Sequence, residues 1–112
     1  MTECDLLVIG AGPAGLYATY YSGFRGFSTV LMDVLPELGG QVTAMYPEKA
    51  IYDIAGFPMV KGRELIDGLV AQMQAHSPTV LTGVMAQTLT MSDDAVRAVS
   101  YTHLTLPTTS RV

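Results

Sequence analysis

The sequence predicts an α/β fold with a parallel sheet, and three observations carry that expectation. Leu6-Leu7-Val8-Ile9 is a continuous apolar run near the start. A strand buried on both faces of a parallel sheet reads this way. Glycines follow at once, at Gly10, Gly12 and Gly15, and open a helical stretch. A second apolar, β-branched run over residues 28–32 ends in Asp33. Strand, helix and strand within about thirty residues make one βαβ unit. Such a unit opens a Rossmann-type sheet.

The remaining elements follow in order. Pro13 to Phe24 is the first helix, with Ala14, Ala18 and Ser22 forming a small face suited to close packing on a sheet. Gly23 and Gly26 bracket its end. Residues 35–58 read as loop, punctuated by Gly39, Gly40, Pro47, Gly56 and Pro58, with a short extended piece at 51–54. Residues 62–76 form an amphipathic helix. Leu65, Ile66, Leu69, Val70 and Met73 share one face, and Arg63, Asp67, Gln72 and Gln74 avoid it. Ser77-Pro78 stops the helix. Thr79 to Leu81 is a short strand, and Val84 to Met91 alternates like another. Residues 92–94 form a turn, and 95–99 pair back as a terminal hairpin or β-meander. No internal repeat is visible.

Composition bounds the function. The 112 residues are 49% apolar and only 14% charged, which excludes a disordered chain. Ten acids against six bases argue against nucleic acid as a partner. Apolar runs fall short of the roughly 18 residues that span a bilayer. The single Cys4 forms no internal disulfide or redox pair. With no basic leader at the N-terminus, a cytoplasmic chain without a membrane role is expected. No cluster of Cys and His suggests a metal. Cys4 reads as a small packed residue, His76 as a helix-end cap, and the methionines as core filling.

Gly10-Ala11-Gly12-Pro13-Ala14-Gly15 is a GxGxxG in the context its chemistry needs, between a buried strand and a helix. Gly10 permits the tight turn, and Gly12 lets the backbone approach a pyrophosphate. Gly15 allows close helix–strand packing. The helix N-terminus offers free N–H groups and a positive dipole end, and Pro13 sits where a missing N–H costs little. Asp33, 18 residues after Gly15, is placed to accept hydrogen bonds from an adenosine ribose. It would repel a 2′-phosphate, which favours FAD or NAD over NADP at this site. Gly39 and Gly40 let backbone approach a flat ring or a phosphate, and Gln41 can donate and accept at a ring edge. Tyr46 can stack on a cofactor, although an isolated tyrosine is more often packing.

The strings DLLVIGAGPAGLYATYYSGFRG, LPELGGQVTAMYPEKAIYDIAGFP and RELIDGLVAQM are similar to ferredoxin–NADP reductase of the thioredoxin-reductase-like type, over residues 4–91. Tyr46 to Pro58 separates this family from the broader thioredoxin reductases. The resemblance implies a two-dinucleotide-binding-domain flavoprotein fold, with an FAD domain interrupted by an NADPH domain. It implies a homodimer that passes a hydride from NADPH to FAD and then electrons to ferredoxin or flavodoxin. It places Gly10, Gly12, Pro13, Ala14 and Gly15 on the FAD pyrophosphate and Asp33 on the adenosine ribose. Gly40, Gln41 and Tyr46 fall on the flavin side, and Ala86 near the adenine through its backbone. No catalytic acid or base is expected, because in this family the flavin carries the chemistry.

A family member is much longer than this chain. The second GxGxxG, for NADPH, is absent, as is the C-terminal segment that completes the FAD domain. Residues 1–98 are therefore expected to be the N-terminal part of an FAD/NAD(P)-binding domain, with no turnover alone and with apolar surface exposed. Residues 99–112, VSYTHLTLPTTSRV, lack periodicity. Their first ten resemble the translation of a transposon sequencing adapter, so this tail is expected to be non-native. Two other readings stand beside the leading one: a thioredoxin reductase, and a non-catalytic stand-alone dinucleotide-binding module. An NAD-dependent dehydrogenase lacks a catalytic constellation here.

Overall fold

The computed structural model describes residues 3–91, 93 and 96–102. The element order is β1 (Leu6–Ile9), α1 (Pro13–Phe24), β2 (Thr29–Met32), α2 (Gly40–Met45), β3 (Ala50–Ile51), β4 (Val60–Lys61), α3 (Gly62–Gln74), β5 (Thr79–Leu81), β6 (Val84–Met91) and β7 (Val96–Thr102). A parallel sheet of order β1-β2-β5 is accompanied by two antiparallel pairs, β3-β4 and β6-β7. Leu7 pairs with Val30, and Leu31 with Val80, so β2 is the central strand. The α/β architecture with a parallel Rossmann-type sheet is as the sequence predicts.

All four residues of β2 are buried. Leu31 joins Ala11, Leu16, Ile66 and Met73 in one core, against which Val8, Tyr20, Leu38, Val42, Leu69 and Val70 pack. Burying a side chain of the size of Leu16 or Leu31 contributes about 1.5–3 kcal/mol. α1 and α3 pack on each other, and α3 contributes the apolar face read from its spacing. Its end carries His76 onto α1, where the imidazole meets the rings of Tyr20 and Phe24 with centroids 5.6 and 6.4 Å away. Ser77, at φ +52°, turns the chain out of the helix.

Three expectations need correction. β1 is not buried on both faces: Leu6 is 41% and Ile9 56% exposed. The apolar run specifies a strand, but among the described residues β1 has a hydrogen-bonded neighbour on one side only. The sheet-facing side of α1 is not the Ala14 and Ala18 face. Leu16, Thr19 and Ser22 are its buried residues, and the hydroxyls of Ser22 and Thr29 are 2.6 Å apart in the interior. Ala14 and Ala18 face outward. Finally, residues 35–58 hold a helical turn and a half, α2, where loop was expected.

The terminal hairpin forms, but its second strand runs to Thr102. The expected boundary at Ala98 thus falls inside β7. The expected turn at 92–94 lies largely, and the tail beyond 102 wholly, outside the described residues. Among the described residues, no helix is long and apolar enough to cross a membrane.

Candidate functional site

The end of β1 enters a turn at Gly10, whose φ of +108° suits glycine. The Gly10 N–H donates to the Met32 carbonyl at 2.8 Å, fixing the turn to the end of β2. Ala11 is fully buried. Gly12 is extended and N-caps α1, with Pro13 in the first turn and no side-chain cap. A Cβ built on Gly12 meets nothing within 4 Å, whereas one on Gly15 collides with the Gly10 carbonyl oxygen. The two glycines therefore do different work. Gly15 lets the helix close on the turn, and Gly12 keeps open the space in front of it.

The N–H groups of Ala14 and Gly15 have no acceptor among the described residues, and Leu16 is the first to bond back, to the Gly12 carbonyl at 2.9 Å. Two unsatisfied donors, a bare backbone at Gly12 and the positive end of a twelve-residue helix make an anion-binding surface.

Asp33 follows β2 and is half-buried. Its Oδ2 accepts the Ala11 N–H at 2.6 Å and its Oδ1 accepts the Leu35 N–H at 2.9 Å. Each oxygen keeps a second lone pair for a ligand hydroxyl. The second glycine pair docks on the first. The Gly39 N–H donates to the Ala11 carbonyl at 2.7 Å, and a Cβ on Gly40 would lie 3.2 Å from Gly12 Cα. Both glycines have positive φ, +113° and +59°. Gln41 is exposed in the first turn of α2.

The structure thus brings Gly10, Gly12, Pro13, Ala14, Gly15, Asp33 and Gly40 together, with Gln41 adjoining. Tyr46 lies at the far end of α2, 47% exposed, with the Lys49 ammonium 5.2 Å from its ring centroid. Ala86 is half-buried on β6 beside an irregularity at Gln87, where the register shifts against β7. The strand is anchored near Asp33, because the Val84 N–H donates to the Asp33 carbonyl at 3.0 Å.

Residues 46–58 are tied into the fold. The Pro47 and Lys49 carbonyls accept the N–H groups of Arg63 and Gly62 at the start of α3. Glu48 bonds the Arg63 Nε at 2.9 Å. The guanidinium lowers the Glu48 carboxyl and is itself raised by it. A cleft of about 690 Å³ between α2 and α3, lined in part by Glu37, Thr43 and Asp67, includes none of the predicted cofactor residues. Motif reading gave Ala11 no role, and it gave Gly39 only free backbone, not a bond to Ala11. Their role in the site lies in the peptide groups.

The cradle fits a dinucleotide, because its donors are backbone N–H groups beside open space and its acid is set behind the turn. The fold defines a Rossmann-type α/β domain. Residues 8–55 match the family of NAD(P)-binding Rossmann-like domains. The chain is 64% identical over 93 residues to a ferredoxin–NADP reductase of a Nocardioides species, covering 83% of this chain and 28% of the relative. It is 52% identical over 90 residues to the ferredoxin–NADP reductase of Thermus thermophilus, covering 80% and 27%. The resemblance to that oxidoreductase is borne out, and the chain spans less than a third of the length of the relatives it matches. In fold it is similar to thioredoxin reductase of Lactococcus lactis, with a TM-score of 0.75 and 21% identity over 88% of this chain and 31% of that one. Thioredoxin reductase of T. acidophilum gives 0.72 and 25%, over 87% and 30%.

Proposed function

We propose that the chain is the N-terminal FAD-binding part of a flavoprotein oxidoreductase that transfers electrons between NADPH and ferredoxin or flavodoxin. The observation that carries the reading is the docking of the Gly39–Gly40 loop on the Gly10–Gly15 turn, in a sequence 64% identical to a ferredoxin–NADP reductase. Gly12 and the N–H groups of Ala14 and Gly15 would hold the FAD pyrophosphate, with Gly10 and Pro13 shaping the turn. Asp33 would take the adenosine ribose and the Ala86 backbone the adenine. Gly40, Gln41 and Tyr46 would line the flavin side. When bound, FAD supplies a hydride acceptor that releases electrons singly.

Residues 1–98 are the native part in this reading, and 99–112 a translated adapter. The longer protein is a cytoplasmic homodimer that carries its NADPH site beyond this chain. Leu6, Ile9, Tyr17, Phe24 and Phe27 are all more than 40% exposed, which fits a domain covered by further polypeptide. The chain alone should not turn over.

The source locus, read past codon 98, and the protein it encodes test this. A second GxGxxG without CxxC, and NADPH-dependent reduction of ferredoxin, are expected. A CxxC with reduction of thioredoxin would favour the thioredoxin reductase reading, to which the structural neighbours lend support. A stop codon directly after residue 112 would instead support a stand-alone binding module. Substantial NADPH-dependent reduction of an artificial acceptor by the 112-residue chain would contradict its inactivity.

A further inference from the structure

Every polar group of Asp33 is engaged by the backbone. Its N–H donates to the Leu81 carbonyl and its carbonyl accepts the Val84 N–H, both at 3.0 Å. Its carboxylate accepts the N–H groups of Ala11 and Leu35. Ala11 in turn accepts the Gly39 N–H. A chain of hydrogen bonds therefore runs from the Asp33 carboxylate, across the Ala11 peptide groups, to the second glycine loop.

We propose that Asp33 is a positioning residue, whose carboxylate holds the glycine-rich turn and the Gly39–Gly40 loop in one register through Ala11, with or without a ribose. Ligand binding alone does not require this arrangement. An acid reserved for hydroxyls would direct its oxygens at the ligand, yet both oxygens already accept backbone donors. The Ala11 bond is short and charge-assisted, and Ala11 is fully buried, so removing its acceptor strands a donor that water does not reach. Gly40 rests against Gly12, so displacing the Gly39 loop changes the floor of the groove. The proposal deepens the FAD reading, and only the ligand arm of its test rests on that reading.

Amide hydrogen exchange is measured on the full chain without ligand, as wild type, Asp33→Asn and Asp33→Glu. Asparagine turns one acceptor into a donor and removes the charge from the other bond. The Ala11 and Gly39 amides should be protected together in the wild type. Asp33→Asn should expose both by about tenfold or more, and Asp33→Glu should retain protection. An unprotected Ala11 amide in the wild type would overturn the proposal, and that measurement requires no variant to fold. Unchanged Gly39 exchange in folded Asp33→Asn would also overturn it.

In the ligand arm, wild type and Asp33→Asn are titrated with FAD and with an FAD lacking the 2′ and 3′ hydroxyls of its adenosine. Positioning predicts that the variant weakens both ligands by a similar factor, on the order of tenfold. A variant that binds the hydroxyl-free ligand as tightly as wild type identifies Asp33 as a ribose contact alone and overturns the proposal. Binding of neither ligand to wild type counts against the FAD reading, and the exchange result still decides the role of Asp33.

Discussion

Gly15 lies beneath the carbonyl oxygen of Gly10, with no room between them for a methyl group. The contact sets how closely α1 approaches the end of β1. Gly15→Ala must push the helix away from the turn, and overpacking of this kind costs about 1–3 kcal/mol. Urea unfolding should show a lower midpoint. An unchanged midpoint would mean that the turn yields without strain.

Gly23 and His76 make a second close approach, between α1 and the end of α3. A Cβ on Gly23 would lie 2.5 Å from the His76 Cβ. Alanine favours a helix more than glycine does, yet Gly23→Ala should destabilise by about 1–3 kcal/mol because of this overlap. His76→Gly should cost about 1 kcal/mol through its lost contacts with Tyr20 and Phe24. The double variant removes the overlap, so a double-mutant cycle should show coupling of about 1 kcal/mol or more. Additive costs would contradict the packing described.

The Glu48–Arg63 pair gives a pH dependence of known sign. The hydrogen bond from Arg63 lowers the Glu48 carboxyl, with the Arg63 and Lys61 charges acting in the same direction. A folded pKa below the unfolded one stabilises above the usual glutamate range, and that contribution is lost as pH falls through the lowered folded value. Both side chains are more than 60% exposed, so water and salt screen the pair. Glu48→Gln should lower stability slightly at neutral pH in dilute salt, and not in strong acid or concentrated salt. Unfolding midpoints for the two proteins across pH and salt check this, and a difference that ignores both would contradict it.

Much of this fold is legible in the sequence where one periodicity dominates. β1, α1, β5 and β6 have the limits expected from their apolar runs and from Pro13, Gly83 and Ser77-Pro78. α2 was hidden because six residues beginning with a glycine offer too little pattern for a 3.6-residue period. It forms through contacts beyond its own sequence: Val42 packs on the core and Thr43 Oγ1 donates to the Leu38 carbonyl at 2.8 Å. The exposure of β1 was hidden for a different reason. An apolar run specifies a strand but does not specify how many neighbours the strand has. In the site, the glycine motif and Asp33 were legible as residue types. The joining of Ala11 to Gly39 was not, because it uses peptide groups that every residue carries.

In the proposed FAD reading, the space in front of Gly12 is kept open for the pyrophosphate. Gly12 has ordinary extended backbone angles, and among the described residues a methyl group there meets no atom beyond its chain neighbours within 4 Å. Gly12→Ala should therefore leave the unfolding midpoint where it is and obstruct only a ligand. Calorimetric titration of FAD into wild type and Gly12→Ala should show binding to the first and at least about tenfold weaker binding to the second, with both equally stable. Equal FAD affinity for the two proteins, or no binding to either, would contradict the account.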